Sequence, residues 1–187
     1  MRYWLMKSEP TEYAIDDLAR DTVEMWDGVR NYQVRNMMRD EMRVGDQALF
    51  YHSNAGSETG VVGVMSIASA AYPDPTQFDP ANVHYDPKSP KDNPRWLCVD
   101  VRFIQKLPQL VTLQAIKADS IFSDLPLVQR GNRLSVMPIK KQHFAHLVAL
   151  GHQRIVMLAR EERRKPLPGL LEQTFLDELE AQGIKTG

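Results

Sequence analysis

A dense run of prolines sets the first limit on how this chain can fold. Between Tyr72 and Asn93, prolines stand at positions 73, 75, 80, 87 and 90. Because proline fixes φ and lacks an N–H donor, this density excludes a regular helix or a central strand. Loops of this length without secondary structure are usually functional or disordered. We therefore predict an irregular segment of functional interest here.

The segments on either side of the prolines have the patterns of strands and helices. Apolar and β-branched runs predict strands at 2–6, 23–26, 47–51, 59–71, 95–106 and 134–137. Helical spacing predicts helices at about 30–42, 112–118, 141–150, 154–164 and 170–182, with Gly151 ending the third. Thr11 is a candidate cap for a further short helix. Because few βαβ units are visible, we expect an α+β fold, with a mixed, mostly antiparallel, partly closed barrel flanked by helices.

Length and charge distribution bound the domain organisation. The 187 residues fit one domain, placed at 1–151, with a C-terminal helical extension at 152–187. Residues 101–165 contain 12 Lys and Arg against 4 Asp and Glu, whereas residues 1–100 contain 10 against 16. A basic segment can place a positive face against phosphates, or it can be the solvated face of a helix, and composition leaves both readings open.

The cysteine count and the N-terminus indicate the compartment. The chain has one cysteine, Cys98, so no disulfide can form within it and a reducing, cytoplasmic location is expected, with nucleoid or nucleus as further options. Its strand-like surroundings favour packing over a nucleophilic role. The N-terminus is too quickly polar for a signal peptide, and no apolar run approaches the ~18 residues of a membrane span. We expect a soluble protein.

Five motifs resemble the EVE domain family. They are Tyr3–Pro10, Trp26–Asn36, Gly45–Asn54, Asn93–Trp96 and Arg133–Pro138. Each is weak alone, but together they occur in order over residues 1 to about 150, and they leave 152–187 uncovered. The resemblance extends to the related YTH and PUA domains. It implies a PUA-like pseudo-barrel with a concave pocket for a modified nucleobase.

Binding a single base requires aromatic partners for its faces and polar partners for its edge. All three tryptophans lie inside the motifs. We expect Trp4, inside a strand, to belong to the core, and Trp26, before the Asp27-Gly28 turn, to line the pocket. The resemblance to YTH domains implies that Trp26 is a cage residue and that the backbone of Asp27 faces the base edge, and it gives a weaker indication for Trp96.

The remaining candidates are polar or basic residues of the same motifs, together with Tyr13, which lies outside them and which the resemblance to YTH domains indicates weakly. For the pocket they are Ser8, Tyr13, Tyr51, Ser53 and Asn54. Ser53 and Asn54 are equally well explained by turn chemistry after a strand. For nucleic-acid phosphates the candidates are Lys7, Arg30, Asn31 and Arg133. Arg30 and Asn31 begin a helix whose N-terminus favours anions, whereas Arg133 is indicated by the resemblance.

Enzyme functions find little support in the residues. A lone cysteine cannot supply the zinc site of a base deaminase. His143 and His146 share a helix face, but their apolar neighbours Phe144 and Leu147 indicate an ordinary amphipathic helix. Neither a G-x-S-x-G elbow nor a phosphate-binding glycine loop is present. We therefore expect no catalysis, no metal and no cofactor.

The leading hypothesis is a non-catalytic module that recognises a modified base in DNA or RNA, for example a C5-modified cytosine. One alternative is an enzyme acting on nucleic acid or nucleotides through the same pocket, with Glu9 or Asp27 as its first candidates. Another is a scaffold whose C-terminal helices recruit a protein partner. The sequence does not distinguish DNA from RNA.

Overall fold

The computed structural model describes residues 1–162, with side chains as far as Gln153, and Met1–Gln153 form one compact unit. The strands are β1 (Tyr3–Ser8), β2 (Val23–Trp26), β3 (Gln47–His52), β4 (Gly60–Ile67), β5 (Tyr72–Pro73), β6 (Leu97–Thr112) and β7 (Val136–Ile139). The helices are α1 (Ile15–Asp21), α2 (Tyr32–Asp40), α3 (Leu113–Ala118) and α4 (Lys141–Glu162). The predicted helix at 170–182 lies outside the described residues.

The described strands form one mixed sheet in the order β2-β6-β4-β3-β1-β7, with β5 paired to β6. Only β1 and β3 run parallel, and every other described pair is antiparallel. The predicted mixed, mostly antiparallel α+β fold is therefore confirmed. The sheet is open, because β2 and β7 stand at the two ends of this order and do not pair with each other in the described part.

A ring contact shows that this open sheet is strongly coiled. In the strand order, β2 and β3 are three spacings apart, which is about 14 Å in a flat sheet. The rings of Trp26 on β2 and Phe50 on β3 nevertheless lie edge to face with centroids 5.4 Å apart. The sheet must curve to bring these rings together, as in a barrel that is only partly closed.

The sheet has an apolar core on each face, because successive side chains of a strand point to opposite sides. The α2 face holds Trp4, Met6, Trp26, Met38 and Phe50, with side chains from α1 and α2. The α4 face holds Leu5, Leu49, Tyr51, Phe144 and Leu147, with side chains from α3 and α4. The predicted core position of Trp4 is confirmed, since this residue is fully buried.

Two predicted helix boundaries are wrong. Thr11 does not cap α1, because the helix begins at Ile15 and the Asp17 carboxylate instead accepts a hydrogen bond from the Ala14 N–H. Gly151 does not end the last helix of the domain, because α4 continues through it to Glu162. A Cβ at position 151 would lie 2.6 Å from Leu107 Cδ1, so the glycine permits close packing of α4 on β6. No helix in the described part is both long and apolar enough to cross a membrane.

Candidate functional site

Trp26 and Asp27 lie where β2 leaves the sheet. The Trp26 side chain packs against Phe50 and is 9% exposed. The half-buried Asp27 carboxylate forms no hydrogen bond or ion pair with any other described residue. Burial raises the pKa of Asp27, and the nearby charge of Asp74 raises it further. A half-buried hydrogen-bond acceptor therefore directly follows a largely buried indole.

The ends of β1 and β3 are joined by a network of turn hydrogen bonds. Ser8 Oγ donates to the Tyr13 carbonyl at 2.7 Å, and the Ser53 N–H donates to the Ser8 carbonyl at 2.9 Å. Asn54, which has φ of +53°, donates from Nδ2 to Glu9 Oε1 at 2.5 Å. These contacts give Ser53 and Asn54 the turn role that the sequence left open, and they occupy an oxygen of Glu9.

Tyr13 packs on the α2 face, on the same side of the sheet as Trp26. Its hydroxyl donates to Asp21 Oδ2 at 3.1 Å, and burial together with this bond raises the Tyr13 pKa. Charges of Asp17, Asp21 and Glu24 act on the hydroxyl, and Arg20 forms ion pairs with both Asp17 and Asp21 at 2.8 Å. The Tyr13 hydroxyl is therefore held within a local network of charged side chains.

Arg30 has a different role from the predicted phosphate contact. Its guanidinium donates to Asp74 Oδ2 at 2.7 Å and to Thr76 Oγ1 at 3.0 Å. It also donates once to the Val29 carbonyl and twice to the His84 carbonyl. These five bonds use the whole donor capacity of an arginine. Arg30 therefore fastens the proline-rich segment to the turn after β2 and has no N–H left for a phosphate.

The same turn is held by Asp74, whose carboxylate is fully buried. Asp74 Oδ2 also accepts from the Gly28 N–H at 3.0 Å, and Oδ1 accepts from the N–H and hydroxyl of Thr76 at 2.8 and 2.6 Å. Burial alone would raise the Asp74 pKa, but the bonds from Arg30 and Thr76 outweigh it and lower the pKa. We call Asp74, Arg30, Gly28, Thr76 and His84 the Asp74 network.

Asn31 and Trp96 both form contacts within the protein. Asn31 Oδ1 accepts from the Val34 N–H at 3.1 Å and so caps α2, whereas the NH₂ group of this exposed residue forms no hydrogen bond among the described residues. The predicted phosphate contact of Asn31 therefore stays a prediction. Trp96 is 7% exposed, its Nε1–H donates to Asp86 Oδ2 at 2.8 Å, and its ring packs against Tyr32, so these groups already have partners within the protein.

Lys7, Tyr51 and Arg133 lie apart from Trp26. Lys7 and Tyr51 are register partners of β1 and β3, and Tyr51 belongs to the α4 face, so it cannot line a pocket with Trp26. Burial raises the Tyr51 pKa to about 12 and lowers the Lys7 pKa. The Lys7 N–H donates to the Ser135 carbonyl, two residues from the exposed Arg133. This backbone bond brings their two segments together, and neither cation has an ion pair within the described residues, so we call Lys7 and Arg133 the positive corner.

Two histidines of α4, His143 and His146, pair separately with aspartates. His143 Nε2 lies 3.0 Å from Asp124 Oδ1, and His146 Nε2 lies 2.9 Å from Asp119 Oδ2. In the part of the chain that the structure describes, no group of three or more His, Cys, Asp or Glu could hold a metal ion. These pairs join the segment before β7 to the helix.

Comparisons with known proteins agree on one family. The EVE domain family model matches residues 2–150. Thymocyte nuclear protein 1 of Danio rerio is 42% identical over 169 residues, covering 80% of this chain and 72% of that protein. A Pseudomonas putida crystal structure is 48% identical with a TM-score of 0.76, over 80% of this chain and 99% of that one. Human thymocyte nuclear protein 1, crystallised with DNA containing 5-methylcytosine, is 38% identical with a TM-score of 0.73, over 81% and 98% of the two chains.

Proposed function

The chain belongs to the EVE domain family, and from this premise we propose that it is a non-catalytic module that binds nucleic acid by enclosing one modified base. A C5-modified cytosine in DNA is the first candidate, because the human relative was crystallised with DNA containing 5-methylcytosine. Two of the residues proposed to hold the base, Trp26 and Tyr13, belong to the α2 face.

The observation that carries the proposal is the pair formed by Trp26 and Asp27. Trp26 is 9% exposed at the end of β2, and Asp27 beside it offers a half-buried carboxylate without a hydrogen bond or ion pair among the described residues. An aspartate accepts a hydrogen bond from the exocyclic amino group of cytosine, which thymine lacks. Contact of a base with an aromatic side chain contributes about 1–3 kcal/mol. The two residues together therefore suit a cytosine whose C5 substituent packs on apolar surface.

The positive corner of Lys7 and Arg133 gives the nucleic-acid backbone a binding surface. Phosphate contacts contribute affinity without base preference, and they make affinity depend on salt. Ser8 and Tyr13 remain proposed wall residues, because Tyr13 packs on the same face as Trp26. Residues 1–151 account for all of these contacts, so a chain truncated after Gln153 should retain binding.

The test is a titration of oligonucleotides that differ at a single base. Cytosine, 5-methylcytosine, 5-hydroxymethylcytosine, adenine and N6-methyladenine would each be placed in DNA and in RNA. Burying one methyl group contributes ~0.8 kcal/mol, so a preference of about fourfold for the methylated cytosine is expected from the methyl alone. Trp26→Leu, which keeps an apolar side chain without an indole, should weaken binding and remove the preference.

Trp4→Phe is the matched control. Trp4 lies on the same α2 face but is fully buried, so its replacement should change stability and leave base preference unchanged. Thermal melts of both variants would show that each is folded at the assay temperature. Equal affinity for all five bases, unchanged by Trp26→Leu, would contradict the proposal and indicate a generic basic surface.

A further inference from the structure

Four side chains stack on one another from the Asp74 network outward. The Arg30 guanidinium lies 5.6 Å from the Trp96 ring centroid, and the Trp96 and Tyr32 rings are 4.8 Å apart with an interplanar angle of 34°. The Arg35 guanidinium in turn lies 4.9 Å from the Tyr32 ring centroid. We call Arg30, Trp96, Tyr32 and Arg35 the stacked series. Its inner end is fixed beside Gly28, two residues after Trp26, through Arg30 and Asp74.

The outer end of the series is open to solvent. Tyr32 is 52% exposed although it is aromatic and lies in the first turn of α2. Trp96 behind it is held by the Asp86 carboxylate and by Gln77 Oε1, which accepts from the Trp96 N–H at 3.0 Å. The Tyr32 ring therefore rests on a rigid support, and both this ring and the Arg35 guanidinium are flat groups on which bases stack.

The segments beside Tyr32 carry basic residues and one carboxylate, Asp86, whose pKa the charges of Arg95 and Arg30 help to lower. Arg35 donates to the Arg95 carbonyl at 3.1 Å, and the Arg95 N–H donates to Ser89 Oγ, next to Lys88 in the chain. Arg35, Arg95 and Lys88 form no ion pair within the described residues, whereas Arg39 pairs with Asp40. We therefore expect a phosphate backbone leaving Trp26 to follow this basic side.

We propose that the outer end of the stacked series, where the Arg35 guanidinium lies on the Tyr32 ring, is a second stacking site for the nucleotide next to the enclosed base, and that the charges of Arg35 and Arg95 neutralise the adjoining phosphates. When one base leaves a stack, its neighbour loses a stacking partner, and Tyr32 with Arg35 replaces that partner. This inference rests on the proposed function, since it requires one base to be held at Trp26. It assigns a role to an exposed tyrosine that the sequence did not single out.

The test separates stacking from structure by changing the DNA as well as the protein. Single-stranded DNA oligonucleotides would carry one 5-methylcytosine, with the neighbour on either side replaced in turn by an abasic residue. Against the intact oligonucleotide, Tyr32→Ala should weaken binding by about 5- to 150-fold, the loss of one stacked base. Tyr32→Phe, which keeps the ring, should bind like the wild type. Against the oligonucleotide lacking the stacked neighbour, wild type and Tyr32→Ala should bind alike.

Tyr85→Ala is the matched control, because Tyr85 is a 40% exposed tyrosine of the neighbouring segment, and no ring contact involves it among the described residues. It should leave both affinities unchanged. Arg35→Gln should reduce the slope of log affinity against log salt by about one phosphate contact. An affinity loss in Tyr32→Ala that is the same with and without the neighbouring base would overturn the proposal, as would no loss at all.

The outcomes also separate this inference from the proposed function. If the wild type does not distinguish 5-methylcytosine from cytosine, the modified-base proposal fails, yet the dependence of the Tyr32 effect on the neighbouring base still decides the stacking site. If Tyr32→Ala shows no such dependence while Trp26→Leu removes the preference for 5-methylcytosine, only the stacking site fails.

Discussion

Replacing Asp74 with asparagine tests whether the Asp74 network holds the rim of the site. The carboxylate is fully buried and accepts four hydrogen bonds, from Gly28, Arg30 and twice from Thr76. Asparagine keeps one oxygen and places an NH₂ group at the other position. All four partners donate a hydrogen bond to the carboxylate. The new NH₂ group is also a donor, so it would face either the donors of Gly28 and Arg30 or the two donors of Thr76, and that pair would lose its acceptor.

The expected cost follows from these contacts. Breaking a buried ion pair by removing one partner costs about 3–5 kcal/mol. The Arg30 side chain is 22% exposed and keeps its bonds to the His84 carbonyl, which places the expected loss near the lower end, about 3 kcal/mol. Because the total stability of a domain is only about 5–15 kcal/mol, this loss should be obvious in a urea titration.

The control for Asp74→Asn is Asp92→Asn, an equivalent change at an exposed position of the same segment. The Asp74 pKa is lowered in the folded state. The contribution of this carboxylate to the free energy of unfolding is therefore present above the unfolded-state pKa of about 3.9, and it is lost as pH falls through the folded-state pKa. The difference between wild type and Asp74→Asn should therefore shrink at acidic pH. If the free energies of unfolding of Asp74→Asn and Asp92→Asn differ by less than about 0.5 kcal/mol at neutral pH, the structural role of the Asp74 network is refuted.

Three further predictions concern the candidate site and the core. Asp27→Asn should weaken binding to cytosine-containing DNA. Wild-type affinity should fall as acid protonates Asp27, and the raised pKa of Asp27 brings this loss to higher pH than for an ordinary aspartate. The affinity of the variant should show no such pH dependence. Lys7→Gln combined with Arg133→Gln should lower affinity for all oligonucleotides alike, measured as a smaller salt slope. Gly151→Ala should lower the urea midpoint, because overpacking against Leu107 costs about 1–3 kcal/mol and outweighs the ~1 kcal/mol gain in helix propensity.

Local patterns predicted much of the fold. The strand Val23–Trp26 was placed at its observed bounds, because a short apolar run ending at a Gly turn has few other solutions. The core position of Trp4 followed from its place in the middle of a strand. The extension of β6 to Thr112 was missed because it contains a proline and ends on residues that fit a helix cap equally well.

The roles of individual site residues were harder to predict, because they depend on long-range contacts. Arg30 and Asp74 are 44 positions apart, and nothing in a single sequence pairs them. The resemblance to YTH domains indicated Trp96 as a pocket residue. Its burial depends on contacts with Tyr32 and Asp86, which come from different segments of the chain. Alternation along a strand shows that Phe50 and Tyr51 face opposite sides, but only the contact between Phe50 and Trp26 in the structure shows which of the two faces Trp26.

The proline-rich segment explains why the rim beside Trp26 can be rigid without belonging to a long helix or strand. Gly28 has φ of +69°, and a Cβ there would lie 2.6 Å from His84 Nε2, so the turn after Trp26 fits closely against this segment. Asp74 then fixes the Gly28 N–H, and Arg30 joins it to the His84 carbonyl. Prolines reduce the freedom of such a segment before folding, so less entropy is lost in ordering it. A base entering beside Trp26 would meet a rim already in place, and the free energy of its contacts would go into affinity instead of ordering the loop.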